Sequence, residues 1–251
     1  DVFRNRYVLY IVIFMPLIMV LLPALVLGLG ADPSLISGVQ EEIPPQLMEI
    51  EPYASLEPAE AMQAFIGQQF NLLFLILPLA IPMTIATYSI VGEKRERSLE
   101  PLLATPISTA QLLAGKALAA AGPGVATAWL SGLLYVLLLQ IAVPSAAVRG
   151  ILLSETFLLS LGLIAPLLTI LATTVGLMVS SRVNDPRAAE QLGMIVILPI
   201  LALILGQVAG VITMSSALAL GMAAVLVIVD LALLAAAVRL FDRETILTRW
   251  K

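Results

Sequence analysis

Chemistry in this chain has to come from acids, amides and hydroxyls. It contains no histidine and no cysteine, which excludes disulfides, thiolate catalysis and Cys-ligated metals, together with the usual general base and most zinc-hydrolase designs. No G-x-S-x-G nucleophile pattern occurs, so an intramembrane enzyme would have little to build from. Leu113-Ala114-Gly115-Lys116 ends like a phosphate-binding loop but lacks the upstream glycine spacing and the following hydroxyl. Three sets of polar residues stand out: Asp230, alone in a long apolar run; the amides Gln207 and Gln140; and the charge-dense stretch that begins at Glu93.

Asp230 is the most expensive of these. A carboxylate at the centre of a membrane helix costs about 2.5–3.5 kcal/mol on insertion scales, so it must face protein or water. It reads either as a cation or proton site or as a structural acid that is protonated or hydrogen-bonded. Gln207 and Gln140 read either as pathway-lining groups or as interhelical hydrogen-bonding partners, while Thr169, Thr173 and Thr174 read as structural glue between helices. Gly206 and Gly210 form a GxxxG pair that would let helices approach closely.

The elements that position these residues follow from composition. The chain of 251 residues is 60% hydrophobic and 12% charged, against roughly 45–50% and about 25% in soluble domains, so lipid must be its solvent. Six runs are long enough to span a bilayer: about 7–30, 70–91, 117–143, 154–179, 192–212 and 218–240. Prolines inside them read as kinks rather than ends. The fold class expected is all-α and polytopic, one transmembrane domain over residues 1–251 of the cell membrane.

Charge sets the orientation. Of the 13 Lys and Arg residues, all except Arg149 fall on the side of the N-terminus, so the positive-inside rule makes both termini cytoplasmic. The outer segment 31–69 then carries Asp32, Glu41, Glu42, Glu49, Glu51, Glu57 and Glu60 without a basic residue. It reads as a solvated connector, or as a lid or cation collector, with a short amphipathic helix over Pro58–Gln69. The start at Asp1, followed by Arg4 and Arg6, reads as the tail of a longer amphipathic helix. No internal repeat is visible.

Between the second and third spans lies Glu93-Lys94-Arg95-Glu96-Arg97-Ser98-Leu99-Glu100-Pro101-Leu102-Leu103-Ala104-Thr105-Pro106-Ile107-Ser108. The second helix is expected to overshoot the membrane, with Glu93 and Arg97 paired at i,i+4. Ser98 suits the cap of a short helix with Pro101 in its first turn, and Pro106 disfavours helix at the residue before it. Ser108-Thr109-Ala110-Gln111 has the form of a capping-box start for the next helix. Leu99, Leu102 and Leu103 displayed on a polar turn beyond the membrane point to a partner surface. A second cytoplasmic connector, Arg182 to Glu190, has Asp185-Pro186 as a cap and first-turn proline.

The stretch 93–108 resembles the E-K-E-R-x-x-L-E-x-L-L-x-x-P-[IV]-S segment of the ABC-2 type transporter permease family, and the six-span layout agrees with it over the whole chain. The resemblance implies that this segment is a coupling helix seated in a groove of a separate ATPase subunit, with Glu93, Arg97, Leu99, Glu100, Leu102 and Leu103 making the contact. It implies further that the permease pairs with a second permease copy, identical or related. Cofactors are expected on the partner alone, as ATP with Mg²⁺, since this chain has no nucleotide motif and is not itself an enzyme. Export is expected over import, and no nucleic-acid partner. The chain departs from some relatives in its modest outer segment and in the short turn Thr213–Ala217, which leaves the substrate class open. The alternative is an ATP-independent secondary transporter or ion channel using Asp230, which would normally show internal pseudo-symmetry.

Overall fold

The computed structural model describes residues 6–29, 51–95 and 109–240. Among the described residues the regular elements are all helical. Six helices are long and apolar enough to cross a membrane: Arg6–Leu29, Pro58–Gly92, Ala114–Ala142, Ala146–Arg182, Pro186–Val208 and Ser216–Leu240. The shortest has 23 residues, about 34 Å at the α-helical rise, enough for a hydrocarbon core of about 30 Å. This is a multi-pass, all-α membrane protein.

Only the first, third and sixth spans are uninterrupted α-helices: α1 (Arg6–Leu29), α4 (Thr109–Ala142) and α10 (Ser216–Leu240). The second is α2 (Pro58–Leu73), a 3-10 turn over Phe74–Ile76 and α3 (Leu77–Arg95). The fourth is built from α5 (Ala146–Leu152), α6 (Glu155–Leu159), a π segment over Ser160–Ile164 and α7 (Ala165–Arg182). The fifth joins α8 (Pro186–Gly193), a 3-10 stretch Met194–Ile197 and α9 (Leu198–Val208). The amphipathic piece expected over Pro58–Gln69 is therefore the first half of the second span rather than a separate helix before it.

Burial follows the pattern of apolar residues. In α3, Leu77, Leu79, Ile81 and Met83 are all fully buried; a helix that is apolar all round is one that is covered all round. It packs against α1, α4, α7 and α8. Of the second span's apolar window 78% is buried, against 17% in each of the last two spans. On α1 the buried residues are Val8, Pro16, Val20, Pro23 and Leu27, one helical stripe. Tyr10, Phe14, Ile18, Leu21 and Leu25 on its other faces are exposed, which is where a membrane helix meets lipid.

Small residues set how closely the spans approach. A Cβ on Gly176 of α7 or on Gly193 of α8 would meet Met83 Sδ at 3.0 and 2.4 Å, so Met83 fills a notch made by two glycines on different helices. Gly206 does not act as one half of a packing pair. Helix α9 ends at Val208, and Gly210 lies beyond it at φ +70°, a left-handed conformation that glycine adopts without steric penalty. The GxxxG expectation is corrected accordingly: Gly206 faces Ile212 of its own connector.

Contacts between elements fix which helix ends lie together. Tyr7 and Tyr88 stack with ring centroids 5.6 Å apart, and Tyr7 also reaches Glu190. That end of the bundle holds Arg6, Arg182 and Arg187 and is called the basic end below. At the far end, Gln63 Nε2 donates to the Leu27 carbonyl at 2.7 Å and Gln207 Nε2 to Gln68 Oε1 at 3.4 Å. Arg149, the lone basic residue there among the described residues, donates through Nη1 to the carbonyls of Val143 and Pro144. It closes the C-terminal end of α4 in the manner of a capping arginine.

Candidate functional site

Glu93 lies in the last turn of α3, and its side chain, with Arg97, Leu99, Glu100, Leu102 and Leu103, falls outside the described residues. What is described is the pair of helices that enter and leave that stretch. Helix α3 continues to Arg95 and α4 starts at Thr109 and runs for 34 residues to Ala142. The two pack against one another, with Pro82 against Gly124, where an added Cβ would meet the proline ring at 3.1 Å. A displacement of residues 96–108 would therefore act on two helices that are each continuous to the middle of the bundle or beyond.

Toward the basic end α3 meets a polar cluster. Asp185 caps α8 by accepting from the Ala188 amide at 2.9 Å, as its Asp-Pro sequence predicts. The helix buries Pro186, Ala189, Glu190 and Gly193, the i, i+3, i+4, i+7 face. Glu190 is only 5% exposed. One carboxylate oxygen accepts a hydrogen bond from the Thr84 hydroxyl of α3, and the other accepts from the Tyr7 hydroxyl of α1 at 3.2 Å. The Arg187 guanidinium lies over the Tyr7 ring, 5.7 Å from its centroid. One carboxylate thus joins the first, second and fifth spans.

The intramembrane candidates are not gathered into one place. Asp230 is buried in α10, 4% exposed, and neither carboxylate oxygen has a hydrogen-bond partner. Thr169 Oγ1 on α7 is buried and unpaired as well. Ser216 lies beside Thr156, their hydroxyls 3.4 Å apart, and 230 and 170 each lie fourteen residues further along parallel spans. Asp230 is therefore roughly level with Thr169, about 21 Å from that end. Gln207 is buried with one amide atom on Gln68 and its Oε1 unpaired. Gln140 is exposed near the far end of α4. Thr173 bonds the carbonyl of Thr169 in its own helix at 2.7 Å and joins no second span in doing so.

The sequence profile described as ABC-2 family transporter protein matches residues 1–222. The chain belongs to the ABC-2 transporter family. No curated protein and no solved structure matches it significantly. As an ABC-2 family membrane protein it is a transport component, and permeases of this family generally work with ABC ATPase subunits.

Sequence reasoning passed over two parts of this ABC-2 protein. Glu190 was placed in a connector, although its spacing from Pro186, Ala189 and Gly193 puts it on the buried face of α8. The second is an amide-rich layer at the far end. There the Tyr53 hydroxyl donates to Gln68 Oε1 at 2.8 Å, and burial pushes the Tyr53 phenol up to about 12. Asn71 Nδ2 donates to the Leu152 carbonyl at 2.8 Å. Gln63, Gln68 and Asn71 carry no motif that separates them from solvated residues of an outer connector; what buries Gln63 and half-buries Gln68 and Asn71 is the packing of α2 against α1, α5 and α9.

Proposed function

We propose that this chain is the membrane-spanning permease subunit of an ATP-driven exporter, and that ATP with Mg²⁺ is bound and hydrolysed on a separate ATPase subunit. The single observation that carries the reading is the residue pattern 93–108 within a chain that belongs to the ABC-2 family over residues 1–222. Leu99, Leu102 and Leu103 form the apolar face that docks in the ATPase, Glu100 supplies a directional polar contact, and Glu93 and Arg97 flank it. Both termini and residues 93–108 are cytoplasmic in this reading, which rests on the distribution of Lys and Arg. A second permease copy, identical or related, completes the translocation path.

The mechanism supported by the packing is mechanical. Closure of the ATPase dimer pushes on residues 99–105, and α3 and α4 carry the motion into the bilayer. Glu190 makes α1 and α8 follow, because it is bonded to Thr84 and Tyr7, and Met83 engages α7 and α8 through their glycines. Transport direction follows from the export-dominated character of the family resembled. The alternative, an ATP-independent carrier or channel, is favoured by one observation: the unpartnered carboxylate of Asp230.

The decisive experiment is co-purification of the permease with its ATPase. Truncating a central apolar anchor of an interface costs about 2 kcal/mol or more, roughly thirtyfold in affinity. Leu102→Ala combined with Leu103→Ala is expected to lose the complex, whereas Lys94→Ala changes it little, since exposed ion pairs contribute about 0–1 kcal/mol. A double variant that binds the ATPase and transports like the parent would refute the assignment of 93–108. Transport by the permease alone would favour the alternative.

A further inference from the structure

The second, fourth and fifth spans are interrupted, and a proline stands two residues past each interruption: Pro78 after Phe74–Ile76, Pro166 after Ser160–Ile164 and Pro199 after Met194–Ile197. Proline brings no N–H, so the carbonyl four residues before it loses its α-helical donor. It does not break a span by itself, since Pro16, Pro23, Pro82 and Pro123 lie inside continuous helices. The second and fifth spans repair the loss within their own backbone. Each tightens into a 3-10 turn, in which the Leu77 amide serves the Phe74 carbonyl and the Leu198 amide that of Ile195.

The fourth span widens instead. In its π segment the Ala165 amide reaches back five residues to the Ser160 carbonyl. The Leu161 carbonyl is then left out: its α donor, Ala165, is engaged, and its π donor would be Pro166, which has none. The missing donor comes from another span. Trp129 Nε1 of α4 donates to the Leu161 carbonyl at 3.0 Å. One turn further along α4, Gly132 makes room for the Leu161 side chain, because a Cβ there would meet Leu161 Cδ2 at 2.4 Å. Trp129 is half-exposed, but on a membrane span, where hydrocarbon offers the carbonyl no other donor.

Pro166 leaves one carbonyl without a backbone donor in either register. With Ala165 bonded five residues back it is Leu161; with Ala165 bonded four residues back, as in an α-helix, it is Gly162. The α register is the commoner geometry, and the indole favours the π register by serving Leu161. The piece of the span that this choice would turn is short. Helix α6 has five residues, Glu155–Leu159, between the break at Leu153–Ser154 and the π segment. Its hydroxyl and carboxylate contacts to α10 are long, Thr156 with Ser216 and Ser216 with Glu155, both at 3.4 Å. A π turn holds one residue more than an α turn, so a change of register rotates α6 by about 100°, one residue position.

We propose that Trp129 is a positioning residue: its indole selects the π register of the fourth span and thereby sets which face of α6 turns inward. In this register Phe157 is buried against Tyr135 and Leu158 is 61% exposed; in the α register Leu158 takes the buried place and Leu159 the exposed one. Helix α4 begins at Thr109, directly after the stretch 93–108, so displacing that stretch draws Trp129 from Leu161 and releases α6. This use of the register change rests on the permease reading; the choice of register by Trp129 does not.

The test is a nitroxide scan of positions 155–159, one cysteine at a time, on the full-length chain in lipid nanodiscs, with oxygen accessibility read by power saturation. The parent is expected to peak at 155 and 158, with its minimum at 157. Trp129→Phe removes the N–H and keeps a ring, and Pro166→Ala supplies the amide that lets the α register close every bond, so both should move the pattern alike. In each, the peak shifts from 158 to 159 and accessibility at 158 falls at least threefold. Leu130→Ala, at an exposed position beside Trp129, should keep the parent's pattern. If Trp129→Phe fails to assemble, Pro166→Ala decides, since it adds a hydrogen bond rather than removing one. A peak that stays at 158 in Pro166→Ala or in an assembled Trp129→Phe overturns the proposal, as does a general rise in accessibility without a change of phase. With the ATPase, ATP and vanadate, the parent's peak is expected to move toward 159. A parent unmoved by nucleotide while both variants shift would remove the link to the permease reading and leave the role of Trp129 in setting the register.

Discussion

Replacing Thr84 by Val removes one hydroxyl and leaves the side-chain shape almost unchanged, which isolates its bond to Glu190. Thr84 is fully buried in α3, while Tyr7, the other donor to Glu190, is 38% exposed. Water replaces the tyrosine's bond easily and has no access to the threonine's. A hydrogen bond to a charged group contributes about 1.5–3 kcal/mol, and a buried acceptor left unpaired costs at the upper part of such ranges. Thr84→Val is therefore expected to destabilise the permease by about 2 kcal/mol, and Tyr7→Phe by about 0.5 kcal/mol, since a water can take its place. The reverse perturbation is milder. In Glu190→Leu the Thr84 hydroxyl still has the Ala80 carbonyl at 3.0 Å, so its donor stays satisfied. Combining Thr84→Val with Glu190→Leu should recover most of the loss, because a polar pair replaced on both sides by apolar groups is nearly neutral. A double-mutant cycle measured by SDS titration in mixed micelles should give a coupling of about 1 kcal/mol or more. Additive effects, or a Thr84→Val cost below about 0.5 kcal/mol, would show that Glu190 does not join these spans energetically.

The remaining predictions concern topology and the buried acid. Because the chain lacks cysteine, single cysteines introduced at Pro45, Arg97, Asp185 and Arg249 report on a clean background; only the first is expected to react with an impermeant reagent in intact cells, and labelling at 97 would refute the orientation. Asp230→Asn is expected to leave expression, assembly and transport close to the parent, because a protonated carboxyl and an amide offer similar hydrogen bonding. A transport defect with normal assembly would instead make Asp230 part of an ion pathway.

Much of the architecture was legible from residue type alone, and the reason is the solvent. In a bilayer every backbone group must be satisfied within its own helix, so long apolar runs of this chain had one available structure, and six were countable before any coordinate was known. The reading of 93–108 as a partner surface rests on residue pattern alone, because residues 96–108 fall outside the described residues. Local signals at helix ends also carried over, as Asp185 and Pro186 show by capping α8.

Tertiary structure decided what faces what. Periodicity in a membrane helix does not separate a lipid-facing leucine from one facing protein, since both solvents are apolar. Only packing distinguishes the exposed Leu25 of α1 from the buried Leu79 of α3. The same ambiguity hid Glu190, whose cost becomes visible only when Thr84 and Tyr7 arrive from residues 106 and 183 positions away. It also hid where the second and fourth spans depart from α-helix, because a 3-10 turn in one span and a π segment in another have no marked sequence signature. Composition determined that this is a multi-pass membrane protein, with six helices among the described residues long and apolar enough to cross a bilayer. The inward-facing polar groups, and the packing of the irregular segments Phe74–Ile76 and Ser160–Ile164 on one another, were settled by long-range contacts that no window along the sequence contains.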